Sequence, residues 1–505
     1  MMQAPNQHDA VKLNAKLLMK RRASATWKMP ERVDVAIVGA GAAGLSAARA
    51  LAERGGGEPG GIRVAVLEAA AKVGGRVAHD ASLSPHAVEL GPEFIHGEKE
   101  NRLLDWLGAA RRDLGDRLGA ELVELEWPNY YYFGKEGALV RASDADEWPE
   151  VRKMHEAFEA LAEMPAPVAS ADQSLLQYFA ARGLSSRALD LADAIFANDY
   201  GADMSDVGLA ETVAEQRAWR YGEKYLVLRG ACLQDVMDSL AVGIDVRCGW
   251  ALARLEERSG EYPYVLVSSA RERIEAKCVV VTVPLAVLQR DTIAFDPPLP
   301  KPTVDAIHAV RVGNALKVAL RLTRRFWPDD FYDAVCADCF MPEVWLTPAA
   351  EALGPRAQPP FIMIGFVAGA RSVRVGRLPH AEIARRTLLQ LDAMFGTADE
   401  PHPATSCCDD YRVVNWAERE HAHGAYTHPT LGATGARAAL AAPAGDGLFF
   451  AGEATHAGVN PCIHGAMETG ERAAGLAREA LSRRREAARV TNIGNAGAPA
   501  RRSRL

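Results

Sequence analysis

The chain has 505 residues and a formal net charge of −7 at pH 7, with 49% hydrophobic and 24% charged residues. This composition is typical of globular proteins and excludes collagen-like, mucin-like and wholly disordered classes. A chain of this length corresponds to about two to three domains, and a core of that size does not need the eight cysteines as disulfide staples.

The charge is distributed unevenly along the chain. Residues 1–32 carry +5 and residues 483–505 carry +6, which leaves −18 for residues 33–482. We predict that both basic ends, 1–32 and 483–505, are disordered extensions. Because an acidic body repels phosphate groups and attracts cations, we expect a small cationic ligand and no nucleic-acid partner.

Neither a membrane span nor a metal site is predicted. The longest apolar stretches, residues 35–48 and 357–370, are about 14 residues long, whereas a spanning helix needs about 18. Cys336 and Cys339 form a single C-x-x-C motif without a second pair at zinc-site spacing. The pattern of free thiols and the lack of an export signal favour a cytoplasmic protein with no membrane partner.

The folded part of the chain begins with a strand, a helix and a second strand. Residues 33–38 are rich in β-branched side chains and end at a glycine, residues 42–53 have apolar side chains at helical spacing, and residues 62–68 form the next apolar run. This order predicts a parallel sheet with a right-handed crossover.

A G-x-G-x-x-G motif opens the predicted helix. Gly39 allows the tight turn, Gly41 lets the backbone approach a pyrophosphate, and Gly44 lets the helix pack on the strand. The helix N-terminus offers free N–H groups to the phosphates. Glu68 ends the second strand and can accept hydrogen bonds from a ribose diol, while its charge disfavours NADP because it repels a 2′-phosphate. The motif in this context predicts a dinucleotide site.

Two further segments indicate which dinucleotide binds. Gly75 lies in a glycine loop soon after Glu68, and Arg76 can reach a phosphate from there. A late apolar strand, residues 448–452, is followed by Glu453, which can accept a hydrogen bond from a polyol hydroxyl. A cofactor that is contacted by both ends of the chain is long and central, which predicts FAD.

The remaining elements are interleaved between these segments. Residues 99–224 predict a mostly helical insertion, residues 314–322 alternate as a half-buried strand does, and residues 465–479 predict a late helix. We therefore predict an α/β protein with a discontinuous dinucleotide-binding domain and a second domain inserted into it. The predicted pieces are 33–98, 225–313 and 440–482 for the first domain, and 99–224 and 314–439 for the second.

The sequence resembles the flavin-containing amine oxidase family, which includes monoamine oxidases, polyamine oxidases and lysine-specific histone demethylases. The resemblance covers roughly residues 33–480 and rests on motifs that occur in the family's order. It implies a Rossmann-like FAD-binding domain and a discontinuous α+β substrate-binding domain. The motifs are VAIVGAGAAGLSAA (35–48), LEAAAKVGGRV (67–77), ELGPEFIHG (89–97), VVVTVPLAVL (279–288), ALKVALRLTRRFWP (315–328), WAEREHAHGAY (416–426) and LFFAGEATHAGVNPCIHGAMETGERAA (448–474).

The resemblance also implies a set of cofactor contacts. Leu252 would contact the adenine through its backbone, Trp416 would pack along the flavin, and Met467 would lie near the isoalloxazine ring. FAD would be bound non-covalently, because the cysteine that carries the flavin in monoamine oxidases falls on Ala425. The implied cofactor-binding residues are Gly39, Gly41, Gly44, Glu68, Gly75, Arg76, Leu252, Trp416, Glu453 and Met467.

A substrate site is implied in the same way. Lys317 matches the lysine that hydrogen-bonds through a water molecule to flavin N5, and Tyr426 matches one wall of the aromatic pair that flanks the amine. The second wall falls on Cys462, a departure that widens the pocket and removes one aromatic face. His96 would face the substrate, and Glu93 would be able to anchor an ammonium group.

The activity implied by the resemblance is oxidation of an amine, with a polyamine as one candidate. Hydride passes from the C–N carbon to FAD, the imine hydrolyses to an aldehyde, and O₂ is reduced to H₂O₂. An L-amino acid oxidase stays open as an alternative, and it would need Arg217, Arg220 or Arg229 for the substrate carboxylate. A flavin-dependent desaturase and a non-catalytic flavoprotein scaffold also stay open, as does the oligomeric state, for which a homodimer is one option. No nucleosome-binding module is recognised, so a histone demethylase is not expected.

Overall fold

Two large β-sheets organise the protein. The computed structural model describes residues 31–53, 61–108, 121–165, 171–347, 358–459 and 461–496. Residues 1–30 of the predicted N-terminal extension therefore lie outside the described residues, whereas residues 31 and 32 belong to the first strand.

The first sheet has a parallel centre. Its first strand is β-branched and apolar from residue 33 onward and is buried there, which is typical of a central strand covered on both faces. The strands on both of its sides run parallel to it, so their carboxyl ends meet at one edge, as predicted for the start of the chain. In spatial order the strands are Val246–Arg247, Val64–Leu67, Glu31–Val38, Arg273–Val281, Tyr264–Ser268, Leu252–Glu257 and Ala294–Asp296, and Leu448–Phe450 also pairs in parallel with Arg273–Val281.

Two helices pack closely against each other beside this sheet. Ala42–Glu53 follows the first strand, and Ile463–Ala496 crosses it at Gly470, where an added Cβ would lie 2.1 Å from the carbonyl oxygen of Ala43. The second helix is long but carries many charged side chains. Within the described ranges, the structure contains no helix with the length and apolarity needed to span a bilayer.

The second sheet is mostly antiparallel, and only Asp333–Ala337 and Tyr130–Phe133 pair in parallel. Its strand Ala315–Leu322 was predicted to be half-buried, and this is wrong because the strand is buried on both faces. The helix His380–Phe395 covers the side away from the cavity described below. In spatial order the strands are Cys408–Asn415, Ala315–Leu322, Phe361–Ala368, Glu343–Thr347, Asp333–Ala337, Tyr130–Phe133 and Ala138–Arg141.

Smaller elements connect the two sheets. A three-stranded sheet has the order Ile95–His96, Tyr225–Arg229 and Glu121–Leu125, and two short pairs join His79–Asp80 to Val88–Glu89 and Val312–Gly313 to Tyr426–Thr427. The other named helices are Ala142–Ala145, Pro149–Glu159, Leu175–Ala181, Ser186–Ala192, the π-helix Asp193–Ala197, Asn198–Tyr200, Leu209–Ala218, Leu233–Ala241, Leu285–Gln289, Lys301–Ala309, Gly369–Val375, Pro403–Cys407 and Ala436–Ala441. Short 3₁₀ turns cover Trp416–Glu418 and Glu453–Thr455.

Three sequence predictions need correction. Residues 99–224 are not mostly helical throughout, because strands at 121–125, 130–133 and 138–141 interrupt them, the second being an aromatic run that favours a sheet. Leu103 and Leu107 pack into the core beside the first sheet, so the predicted boundary at residue 99 separates them from their own core. The predicted disordered tail is wrong for residues 483–496, which continue the last helix and begin with the helix formers Arg, Glu and Ala at 483–489, while residues 497–505 lie outside the described residues.

Close packing of the two helices predicts opposite effects for two glycine substitutions. Gly470→Ala should destabilise the fold by about 1–3 kcal/mol, because the new Cβ meets the Ala43 carbonyl. Gly475→Ala on the same helix is the matched control, since its added Cβ has no atom within 4 Å. We expect that control to stabilise the protein by roughly 0.5–1 kcal/mol through helix propensity. Thermal unfolding measures both changes, and equal stabilisation at the two positions would contradict the close approach.

Candidate functional site

A single cavity of about 1030 Å³ is lined by residues from both large sheets. The carboxyl ends of the first-sheet strands contribute one group of lining residues, as expected for an open α/β sheet. The second sheet and the short strands contribute another. The predicted residues among its lining are Gly39, Gly41, Glu68, Gly75, Arg76, Glu93, His96, Leu252, Lys317, Trp416, Tyr426, Glu453 and Cys462.

The glycine turn leaves its backbone open to the cavity. Gly39 has φ +108°, and an added Cβ there would lie 2.6 Å from Oγ1 of Thr282. Gly44 does not line the cavity, and an added Cβ would lie 1.9 Å from the carbonyl oxygen of Gly39. Gly44 thus allows the helix to approach the turn, which leaves the N–H groups of the first helical turn facing the cavity edge.

A second glycine loop lies directly against this turn. The amide of Gly74 donates a 2.9 Å hydrogen bond to the carbonyl oxygen of Ala40, and an added Cβ at Gly75 would lie 3.5 Å from Cα of Gly41. Glu68 accepts hydrogen bonds from the amides of Ala40 (2.6 Å) and Ala70 (2.8 Å), and its carboxylate lines the cavity.

These residues fit a bound dinucleotide. Side chains at the glycine positions would close the approach to the backbone, and a carboxylate has about four acceptor sites, so Glu68 retains capacity for hydroxyl donors. We call Gly39, Gly41, Glu68, Gly75, Arg76 and Leu252 the nucleotide wall.

Glu453 is buried beside the nucleotide wall. Arg76 donates a 2.9 Å hydrogen bond to Oε1 of Glu453 and a 2.8 Å bond to the carbonyl oxygen of Ala425. Thr427 donates its hydroxyl to the other oxygen of Glu453. Burial disfavours the charged form, but Arg76 and Thr427 together hold the pKa of Glu453 below its usual value.

The predicted flavin neighbours differ in their placement. Trp416 is buried, lines the cavity and donates from Nε1 to the carbonyl oxygen of Leu90 at 3.1 Å. Ala425 also lines the cavity, where it offers no nucleophile. Met467 is 3% exposed, packs in the core beside the first sheet and does not line the cavity. Its side chain is therefore not placed to contact a flavin bound in the cavity. Its position in the last helix, next to the cavity-lining Ala466, accounts for the expectation.

Lys317 is a buried lysine whose ammonium faces the cavity side of the second sheet. Its Nζ donates to the carbonyl oxygens of Gly91 (2.6 Å) and Glu89 (3.3 Å) and lies 5.0 Å from the ring centroid of Trp345. Burial lowers the pKa of Lys317, and nearby carboxylates, that of Glu93 first among them, oppose this shift.

Two side chains of the second sheet donate hydrogen bonds to the carboxylate of Glu93. Trp345 donates from Nε1 to Oε2 at 2.9 Å, and Thr347 donates its hydroxyl to Oε1 at 2.7 Å. Both carboxylate oxygens therefore accept hydrogen bonds from the protein, which makes Glu93 a less direct partner for a substrate ammonium than we predicted. We call Glu93, Trp345 and Lys317 the lysine cluster.

Two carboxylates that the sequence analysis did not single out, Asp199 and Glu343, line the same cavity. Trp127 donates from Nε1 to Glu343 at 3.2 Å. Burial raises the pKa of Glu343 to about 7, and the charge of Asp199 adds to the rise. Asp199 lines the cavity and is itself exposed, the surrounding protein raises its pKa, and no side chain in the described part of the chain forms an ion pair with its carboxylate.

Aromatic side chains accompany these carboxylates. Trp127 stacks on Tyr225 with ring centroids 5.1 Å apart, and His96 meets Tyr225 edge-on at 4.9 Å. Tyr426 donates its hydroxyl to the backbone carbonyl of Asp199 at 3.1 Å, and its ring packs against Gly201. Burial lowers the pKa of His96, although Asp199 opposes this, so the imidazole is mostly neutral at pH 7. We call His96, Trp127, Asp199, Tyr225 and Glu343 the acidic wall.

Other predicted residues are distributed as follows. Cys462 lines the cavity, and all eight cysteines are free. Arg217, Arg220 and Arg229 do not line the cavity. Across the described ranges, no group of three or more His, Cys, Asp or Glu side chains could hold a metal ion.

Comparison with known proteins gives one family. The sequence profile described as "Flavin containing amine oxidoreductase" matches residues 42–477 of the chain. Polyamine oxidase 2 of Arabidopsis thaliana is 28% identical over 465 residues, covering 87% of this chain and 87% of that protein. Lysine-specific histone demethylase 1 homolog 2 of Oryza sativa subsp. japonica is 28% identical over 463 residues, covering 88% of this chain and 57% of that protein.

Solved structures share the fold. Putrescine oxidase bound to putrescine superposes with a TM-score of 0.70 at 22% identity, covering 88% of this chain and 98% of that one. Cyclohexylamine oxidase from Brevibacterium oxydans gives 0.72 at 23% identity, covering 88% and 99%. The predicted fold class, a Rossmann-like FAD-binding domain with a discontinuous substrate-binding domain, is confirmed.

The nucleotide wall predicts that Glu68→Gln weakens FAD binding. The carboxylate accepts hydrogen bonds from two backbone N–H groups, and in the variant the amide nitrogen would face one of these donors. A charged acceptor for a ribose hydroxyl would also be lost. We expect the FAD dissociation constant to rise about tenfold to a hundredfold. Titration of the FAD-stripped protein with FAD measures it. Glu257→Gln, at an exposed position on the same sheet, is the control, and equal affinities in the two variants would rule out this role for Glu68.

Proposed function

The chain belongs to the flavin-containing amine oxidoreductase family and is a flavin-dependent oxidoreductase acting on CH–NH groups, and from that premise we propose that it oxidises cationic amines carrying a second ammonium group, such as polyamines. One observation carries the proposal. A continuous cavity joins the nucleotide wall to an acidic wall whose Asp199 carboxylate pairs with no cation of the described protein, and Lys317 lies in the same cavity.

The nucleotide wall would hold FAD non-covalently, and the bound flavin would supply a two-electron acceptor for hydride from the carbon next to the amine nitrogen, with O₂ as the final oxidant giving H₂O₂. The nucleotide wall orients the cofactor through the glycine turns, Glu68 and Arg76. The imine released from the amine hydrolyses to an aldehyde.

The acidic wall would bind the distal ammonium of the substrate. Asp199 and Glu343 supply negative charge at the cavity lining, and a charge-assisted hydrogen bond to the half-buried Glu343 is stronger than the same bond in water. The stacked rings of Trp127 and Tyr225 add an aromatic face for a cation. Tyr426 would flank the amine, and Cys462 leaves that part of the cavity wide.

Lys317 would hold a proton at the lining of the cavity. Its Nζ is fixed by the carbonyl oxygens of Gly91 and Glu89, so the lysine does not need the substrate to stay in place. An ammonium there repels a protonated amine, which favours the neutral amine at the reacting position and the charged one at the acidic wall.

The cytoplasmic location stays a prediction.

An L-amino acid oxidase is the alternative that the cavity disfavours. Such an enzyme needs an arginine for the substrate carboxylate, and the three candidates from the sequence do not line the cavity. The arginines that do line it are Arg76, bound to Glu453, and Arg419, over the ring of Trp416. A carboxylate at the acidic wall would also face two carboxyl groups.

Anaerobic bleaching of the flavin tests the function. Putrescine and spermidine should bleach the yellow protein, cyclohexylamine should do so at higher concentration, and L-amino acids should leave it oxidised. Readmission of O₂ should restore the colour with release of H₂O₂. Bleaching by amino acids alone would assign the alternative activity, and a flavin that stays oxidised with every amine would refute amine oxidation.

The pKa of Glu343 predicts how diamine binding depends on pH. Glu343 loses its proton as the pH rises through about 7, so the carboxylate that attracts a distal ammonium is present above that value and lost below it. We expect KM for putrescine, divided by that for a monoamine measured in parallel, to fall several-fold between pH 6 and pH 8, because deprotonation of the reacting nitrogen affects both substrates alike and only the diamine has a second charge. This ratio should change much less in Glu343→Gln. The same pH dependence in the variant would remove Glu343 from the binding site.

A further inference from the structure

Glu93 is a buried carboxylate to which the proposed binding of an amine at the acidic wall assigns no role. It is 6% exposed, and its oxygens accept hydrogen bonds from Trp345 and Thr347. A buried negative charge is costly unless a cation lies near it, even where neutral groups donate hydrogen bonds to it. Lys317 is the cation whose surroundings include Glu93.

The pairing of the strands places the cluster on one face of the second sheet. Lys317 pairs with Phe366, and Phe366 pairs with Glu343, so the three side chains lie in one row. Side chains two and four residues along a strand share a face, which puts Trp345 and Thr347 on the face of Lys317. The backbone thus fixes the lysine beside the indole ring that Glu93 contacts.

Trp345 contacts both charges at once. The Lys317 ammonium lies 5.0 Å from the ring centroid, and the indole N–H donates to Glu93. A hydrogen bond to a carboxylate polarises the indole and makes its face more negative. A cation over that face is then held more strongly, and more so where water is excluded.

We propose that Glu93 is a positioning residue that holds Lys317 in its ammonium form, acting through the indole ring of Trp345. The consequence for turnover rests on the proposed function, because it assumes that Lys317 lies beside the reacting atoms. The charge relation between Glu93 and Lys317 does not depend on it.

Two other carboxyl groups face Lys317, those of Glu89 and Glu343. Burial raises the pKa of Glu89 to about 8, so Glu89 is mostly a neutral acid at pH 7. Glu343 has a pKa of about 7 and keeps only part of its charge there. At pH 7, removing the charge of Glu93 should therefore change the pKa of Lys317 more than removing the charge of Glu89 or Glu343.

Labelling of lysine side chains tests the relation without using turnover. The isolated protein is treated with a trace of acetic anhydride, which reacts with free amines and not with ammonium groups, and the modified fraction of Lys317 is measured by peptide mass spectrometry between pH 6 and pH 10. Glu93→Gln keeps the size of the side chain and removes its charge. We expect its Lys317 to react about tenfold faster at pH 7, because losing a nearby negative charge lowers the pKa of a lysine by about one unit.

The variant Trp345→Phe distinguishes two routes by which Glu93 can act on Lys317: polarisation of the indole ring, which we call the relay, and direct attraction between the two charges. It keeps an aromatic ring and removes the N–H that Glu93 accepts, so labelling of Lys317 should rise by a smaller factor. Asp409→Asn, at an exposed carboxylate on the neighbouring strand, should leave it unchanged. Unchanged labelling in Glu93→Gln would overturn the proposal, and unchanged labelling in Trp345→Phe alone would overturn the relay.

The two proposals fail separately. Should the amine panel leave the flavin oxidised, the function is wrong while the labelling result still stands. Should Glu93→Gln fold poorly, as judged by its thermal unfolding, Trp345→Phe decides alone. In the active protein, the pH dependence of flavin reduction should move to lower pH in Glu93→Gln by the amount that labelling gives, and that limb should be absent in Lys317→Met.

Discussion

Burial of the Glu453 carboxylate constrains how the two sheets are placed. Glu453 is 4% exposed, and a buried carboxylate without partners would cost several kcal/mol, on the order of the whole stability of many domains. Arg76 and Thr427 stabilise it, and Arg76 also donates to the carbonyl oxygen of Ala425. Ala425 precedes Tyr426, so the same guanidinium that closes the nucleotide wall fixes a side chain of the substrate region. The cofactor region and the substrate region are therefore positioned by one network.

The cavity separates opposite charges by function. The helix N-terminus and Arg76 lie at the part of the cavity where FAD phosphates would bind, whereas the Asp199 carboxylate, which forms no ion pair within the described residues, lines another part. This local arrangement matters more than the −18 of residues 33–482, because charges on the outer surface are screened beyond about 8 Å at physiological salt. On the proposed function, a ligand of mixed charge would be oriented by the cavity, with its ammonium group toward Asp199.

The cofactor end could be predicted from sequence because its residues occur in a contiguous motif. Glycines 39, 41 and 44 follow a β-branched strand, and Glu68 ends the next, so local spacing carries the geometry. Asp199 and Glu343 come from distant segments that meet only through tertiary packing, and neither belongs to a motif. A signal for Glu343 was present, since Glu343, Trp345 and Thr347 alternate with the apolar Val344 and Leu346 and so share one face. The prediction that the strand 314–322 is half-buried failed because the face that carries Lys317 is covered by residues distant in sequence, such as Glu89 and Gly91, whose carbonyl oxygens accept hydrogen bonds from its Nζ.

Cys462 changes where the cavity can hold a cation. The resemblance places an aromatic wall there, whereas Trp127 and Tyr225 stack elsewhere in the lining, beside Glu343. The reacting nitrogen must be neutral to release a hydride from its neighbouring carbon, so an aromatic wall beside it gains little from a permanent cation. A distal ammonium keeps its charge throughout the reaction, and rings and carboxylates beside it stabilise the complex without opposing the chemistry. On the proposed function, an aromatic surface at the acidic wall would favour substrates with two basic nitrogens over simple monoamines.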